Sequence, residues 1–146
     1  MSSHSGEWIV VRENQRSARF RNPSKGTIVV LKVKVDGGMV ASGTEALRAD
    51  YVVAHPKVVD VVVELKGGDV GRAIDQIRAT VPVWRKHPLA GLVHAALVVR
   101  GQGVHPQTSL LTEKLTRRFQ KDFAMKLLIE TRNRDYEFAE FLPEQS

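Results

Sequence analysis

The segment VVVELKGGDVGRAIDQI, residues 61–77, constrains the fold more than any other part of the chain. It opens as an unbroken apolar strand, stops at a glycine pair and restarts with apolar residues at helical spacing. Such a strand is headed for a protein core. One that hands over to a helix at its end belongs to an α/β sheet. The charged pair Glu64 and Lys66 closes this strand, and charge at the end of a core strand is costly unless something uses it.

The rest of the chain is read around that unit. Residues 49–54 form the preceding strand, and the tight connection His55-Pro56-Lys57-Val58 predicts a hairpin with residues 59–66. Folding it back makes paired residue numbers sum to 113 or 114, which brings Asp50 opposite Val63 or Glu64 and leaves Asp60 beside the turn. On one face of the second strand lie Asp60, Val62, Glu64 and Lys66, with Val61, Val63 and Leu65 on the other. Glu64 and Lys66 are then about 6.6 Å apart along the strand, whereas Asp60 is about 13 Å from Glu64.

After Gly67-Gly68, Asp69 is placed to cap a helix whose apolar stripe runs Val70, Ala73, Ile74, Ile77, Val81 and Trp84, with Pro82 expected to kink or stop it. Further strands are predicted at residues 93–99, 125–130 and 136–141, and a second helix at 109–122 with Leu111, Leu115 and Phe119 inward. Ahead of the hairpin, residues 7–11, 18–21 and 27–35 read as antiparallel strands, with a turn at 22–26 and a short strand at 39–41.

At 146 residues the chain is expected to form one domain. Residues 1–35 supply basic β-hairpins, 45–100 the core that carries the charged strand end, and 108–146 a carboxyl-terminal helix and strands. The absence of cysteine excludes disulfides, thiolate zinc sites and a cysteine nucleophile. Its five histidines have no metal-ligand spacing, and no nucleophile-turn motif supports acyl transfer. Apolar runs fall well short of the ~20 residues that span a bilayer, so the expectation is a cytoplasmic protein without a membrane partner.

A net charge of +6 favours a polyanionic partner. The excess is uneven. Between residues 11 and 35 seven basic side chains (Arg12, Arg16, Arg19, Arg21, Lys25, Lys32 and Lys34) face a single acid, Glu13, and a second basic group follows at Arg117, Arg118 and Lys121. The first set is the expected nucleic-acid-binding surface.

Two carboxylates brought together repel, which suggests a divalent cation between them, and carboxylate oxygens suit Mg²⁺ or Mn²⁺ better than zinc. A lysine beside such an ion can serve the attacking water or the charge developing on phosphorus. Asp50, thirteen intervening residues, Glu64-Leu65-Lys66 at the end of the adjacent strand and a following helix bearing Gln76 resemble the active-site pattern of the PD-(D/E)XK nuclease superfamily. The resemblance covers roughly residues 45–80. It implies a restriction-endonuclease-like mixed β-sheet flanked by helices, with extra amino-terminal antiparallel strands in this chain. Asp50 and Glu64 would hold Mg²⁺, Lys66 would be the catalytic cation, and Gln76 would match the helix glutamine of exonuclease-like members. The chain departs from the pattern in having Ala49 before Asp50 and Thr80 where a tyrosine is found in the exonuclease variant. The function implied is Mg²⁺-dependent hydrolysis of DNA, by a homodimer as in junction resolvases; the alternative is a nucleic-acid-binding or inhibitory protein of the same fold without catalysis.

Overall fold

The computed structural model describes residues 2–4, 8–13, 16–21, 30–34, 51–55, 58–67, 70–100 and 106–143. In chain order the described elements are β1 (Ser2–His4), β2 (Trp8–Glu13), β3 (Arg16–Arg21), β4 (Val30–Lys34), β5 (Tyr51–His55), β6 (Val59–Gly67), α1 (Val70–Arg85), β7 (His94–Arg100), α2 (Pro106–Phe123), β8 (Lys126–Glu130), β9 (Arg134–Glu137) and a 3-10 turn (Phe138–Phe141). They build a mixed α/β fold with two mixed sheets.

The large sheet runs β1-β4-β5-β6-β7-β8. Its first four strands are mutually antiparallel, and β6, β7 and β8 are parallel, connected through α1 and α2. The small sheet runs β2-β3-β9, with β2 antiparallel and β9 parallel to β3.

Alternation along the central strands explains both apolar layers. Val52, Ala54, Val62, Ala96 and Val98 meet the stripe Val70, Ala73, Ile74, Ile77, Val81 and Trp84 of α1, together with Phe119 of α2. Val53, Val61, Val63, Leu65, Leu97 and Val99 point the other way, onto Ile9, Val11 and Phe20 of the small sheet and onto Tyr136, Phe138 and Phe141. The order is therefore helices, large sheet, small sheet, and the three central strands are apolar on both sides because both sides are covered.

The hairpin register is Tyr51↔Val63 through His55↔Val59, so paired numbers sum to 114. Val58 N–H closes the turn on the His55 carbonyl at 2.9 Å. Three expectations need correcting. Pro82 does not end α1, which continues to Arg85 with Pro82 exposed. The expected strand at 136–141 stops at Glu137, and Phe138–Phe141 turns as a 3-10 helix that drives Phe138 and Phe141 into the core. Helix α2 begins at Pro106 rather than residue 109; proline suits a first helical position because its missing N–H would have no helical partner there. The expected turn at 22–26, the short strand at 39–41 and the cap Asp69 lie outside the described residues.

Candidate active site

The carboxyl ends of parallel strands are where open α/β sheets bind ligands, because the crossover helices begin there and turn their positive ends toward that edge. In this chain Glu64, Lys66 and Gly67 occupy that end of β6, and Arg100 that end of β7. Helix α1 starts three residues beyond Gly67 and α2 six beyond Arg100, and neither has an acidic residue in its first turn.

Glu64 is completely buried. It pairs with Val98 and shares the helix-side face with Val62. The expectation that Lys66 continues that face assumed strict alternation, and the ladder breaks it: from Glu64 to Gly67 β6 takes three steps while β7 takes two, from Val98 to Arg100. The extra residue makes a β-bulge, a device that re-aims side chains and is over-represented beside active sites. The Lys66 backbone is part of this bulge, and its side chain lies outside the described residues. Asp50 also lies outside them; the residue after it, Tyr51, sits opposite Val63, the residue before Glu64.

Gln76 lies on the second turn of α1, half-buried, between Ala73 and Thr80, which are both buried. Its backbone carbonyl accepts the Thr80 hydroxyl at 2.8 Å, which satisfies a polar side chain within the apolar stripe.

Hard cations such as Mg²⁺ are held by carboxylate oxygens. The described residues place two carboxylates at this edge, Glu64 on β6 and Glu130 at the end of β8, but Glu130 is paired with Arg134 at 3.1 Å, and no group of three or more His, Asp or Glu side chains able to hold a metal forms among the described residues. The chemistry of the donor set thus fits Mg²⁺ only with Asp50 as second carboxylate.

The basic hairpin offers less free charge than its composition suggests. Arg19 forms a bidentate ion pair with Asp135, 2.7 Å on both arms, and Arg21 pairs with Glu137 at 3.0 Å. Both follow from the parallel register of β3 and β9, which sets Arg19 opposite Asp135 and Arg21 opposite Glu137. Each guanidinium also stacks over Trp8, at 4.3 and 5.1 Å from the ring centre. The Arg19 hydrogen bonds hold the Asp135 carboxyl below its usual range. Arg12 is exposed and Arg16 half-exposed. Lys32 and Lys34 are placed on β4 opposite Val53 and Tyr51, their side chains outside the described residues, as is all of Lys25. On α2, Arg117 pairs with Glu113 at 2.7 Å, and Arg118 approaches Asp122 at 3.9 Å.

Arg100 is the residue that the sequence reading passed over. It ends the apolar strand HAALVVR as Glu64 and Lys66 end theirs, so the rule that singled out β6 applies equally to β7. Only 6% of it is exposed, and its Nε has no hydrogen-bond partner.

The opposite end of β6 behaves differently. Asp60 Oδ2 accepts Trp84 Nε1–H and Gly91 N–H, each at 2.8 Å, and lies 3.4 Å from His94 Nε2. That carboxylate is held by donors of the fold itself, tying α1, the 86–93 connection and β7 to β6, beside a hollow of about 500 Å³ bordered by Val58, Leu89 and Leu92.

No known family model, curated protein or solved structure matches the chain.

Proposed function

We propose that the protein is a Mg²⁺-dependent nuclease that hydrolyses DNA phosphodiester bonds on a restriction-endonuclease-like core. The observation that carries this reading is a wholly buried glutamate followed, through a bulge, by Lys66 at the carboxyl end of β6, where α1 begins. Burying a carboxylate is costly, so a partner of opposite charge at that position has a physical reason to be there.

Glu64 and Asp50 would hold the ion, which supplies Lewis-acid stabilisation of the phosphate and a more acidic bound water. Glu64 is fixed for this by its place in a central strand flanked on both sides. Lys66 orients the attacking water and offsets the negative charge that builds on the phosphoryl oxygens. Gln76 adds an amide that can donate to the water or accept from it. Arg12 and Arg16 contact the phosphate backbone without reading sequence. A second copy of the chain would double the grip on a duplex, for which one small domain offers little surface.

The test is cleavage of supercoiled plasmid, single strands, flaps and four-way junctions by wild type, Glu64→Gln and Lys66→Ala, with Mg²⁺ and with Mn²⁺. Wild type is expected to cut at least one substrate, and each variant to lose ~100-fold or more in rate. A wild type that binds DNA without cutting any of them would replace this reading with that of a binding protein of the same shape.

A further inference from the structure

We infer that Arg100 grips a phosphate oxygen of the nucleic-acid backbone at the carboxyl ends of β6 and β7. It rests on the proposed function for the phosphate being a diester, and on the structure alone for the site being one that takes an anion.

Three observations converge on the anion. First, Arg100 is a permanently charged side chain with 6% of its surface exposed, an Nε that has no hydrogen-bond partner and no ion pair among the described residues. Buried guanidinium groups are ordinarily paired, since their five donors lose water on burial. Among the described residues Arg19, Arg21, Arg78, Arg117 and Arg134 have carboxylate partners, although all are more exposed.

Second, the strand alternation that puts Ala96 and Val98 against the helices puts Arg100 on the same side, and the register pairs it with Gly67. Adjacent strands lie about 4.8 Å apart. Three residues of chain reach at most ~10 Å, so the first turn of α1 lies within about 15 Å of Arg100.

Third, α1 and α2 both begin at this edge, and neither carries an acid in its first turn. Two helix starts beside a buried guanidinium that has no carboxylate partner among the described residues favour a negatively charged ligand. Arginine is also the residue whose planar fork matches two phosphate oxygens at once. Glu64, on the neighbouring strand, is placed for the ion and not for the anion. The two ends of the site thereby take opposite charges, as a metal-bound phosphodiester requires.

The test separates binding from cutting. A fluorescein-labelled single-stranded 8-mer is titrated in EDTA into wild type, Arg100→Met and Arg100→Lys across a range of salt concentrations, and the same titration is run with a methylphosphonate 8-mer that lacks the backbone charge. Arg100→Met is expected to weaken binding of the charged oligonucleotide about tenfold and to lower the salt slope by about one. Arg100→Lys should keep the slope and lose part of the affinity, and the neutral oligonucleotide should not distinguish the three proteins. Thermal unfolding supplies the control: Arg100→Met should melt no lower than wild type, because an apolar side chain replaces a buried charge without a partner. Unchanged affinity and slope in Arg100→Met, or a marked fall in its melting temperature, overturns the inference, as does a wild type that binds neither oligonucleotide. If wild type binds the charged 8-mer through Arg100 yet no substrate is cut with Mg²⁺ or Mn²⁺, the nuclease reading falls and the phosphate grip stands. If DNA is cut and Arg100→Met behaves as wild type, the reverse holds.

Discussion

At the residue scale the structure shows where the chain accepts a local penalty. Ala124 follows α2 with φ of 52°, the left-handed conformation in which a Cβ crowds the backbone, and its N–H closes the helix on the Gln120 carbonyl at 2.9 Å. Glycine meets that requirement without strain. Ala124→Gly is therefore expected to stabilise the protein by about 0.5–1 kcal/mol, the relief of strain exceeding the extra freedom glycine gives the unfolded chain. Urea unfolding would show a higher midpoint at unchanged slope; a midpoint that falls would mean the backbone strain is absent. Ala124 is exposed, so no packing change confuses the reading. Arg100 is the counterpart on the functional side, a residue whose burial has no structural repayment among the described residues.

Elements are joined through buried polar groups at the two ends of β6, and the two ends differ in kind. Asp60 gathers donors from α1 and from the 86–93 connection, and lies against His94 of β7. Removing it in Asp60→Ala leaves the buried Trp84 N–H and the part-buried Gly91 N–H without their acceptor. That should cost about 2–4 kcal/mol at ~1–3 kcal/mol per unmet donor, partly offset by losing a buried carboxylate. The expected fall in melting temperature is roughly 5–15 °C, with DNA cleavage at low temperature retained because Glu64 sits at the far end of the strand. A loss below about 1 kcal/mol would mean that Asp60 does not hold these elements together.

These two ends also mark what was legible in the sequence. The alternation that sets Asp60, Val62 and Glu64 on one face is a local signal of period two, and the four-residue turn narrows the register to a sum of 113 or 114, of which the structure takes 114. The bulge that interrupts the face before Lys66 is a single-residue slip in a ladder whose partner strand lies 30 residues or more away, and nothing in ELKGG announces it. Pro82 signals a kink or a stop, whereas the burial of Val81 and Trp84 on α1 carries the helix past it to Arg85.

Taken as a whole, the molecule is closed by contacts between its two ends, and this is where sequence reasoning had least purchase. Strand β9 pairs with β3 across more than a hundred residues, so the acids that neutralise Arg19 and Arg21 could not be matched to them by proximity in the chain. Arg134 then reaches from β9 to Glu140 at 3.0 Å and Glu130 at 3.1 Å, joining the small sheet, the 3-10 turn and β8. Partial burial alone would raise the Glu140 carboxyl, but the Arg134 hydrogen bonds, the Glu137 N–H and the charges of Arg134 and Lys126 outweigh it and hold the group below its ordinary range. A carboxyl whose folded value is depressed stabilises the fold above its unfolded value, and that contribution is lost as pH falls through the folded value. Melting temperature should therefore be nearly level from about pH 5 to pH 7 and drop below about pH 4, where glutamate and aspartate take up protons. The network's own share is isolated by Glu140→Gln. This variant should melt below wild type at pH 7 and converge with it near pH 2, since wild-type Glu140 is by then as uncharged as the glutamine. If the gap between the two proteins were the same at both values, the Arg134 pairing would contribute nothing that depends on charge. The joint between the chain's two ends would then rest on the apolar packing of Phe20 against Tyr136, Phe138 and Phe141.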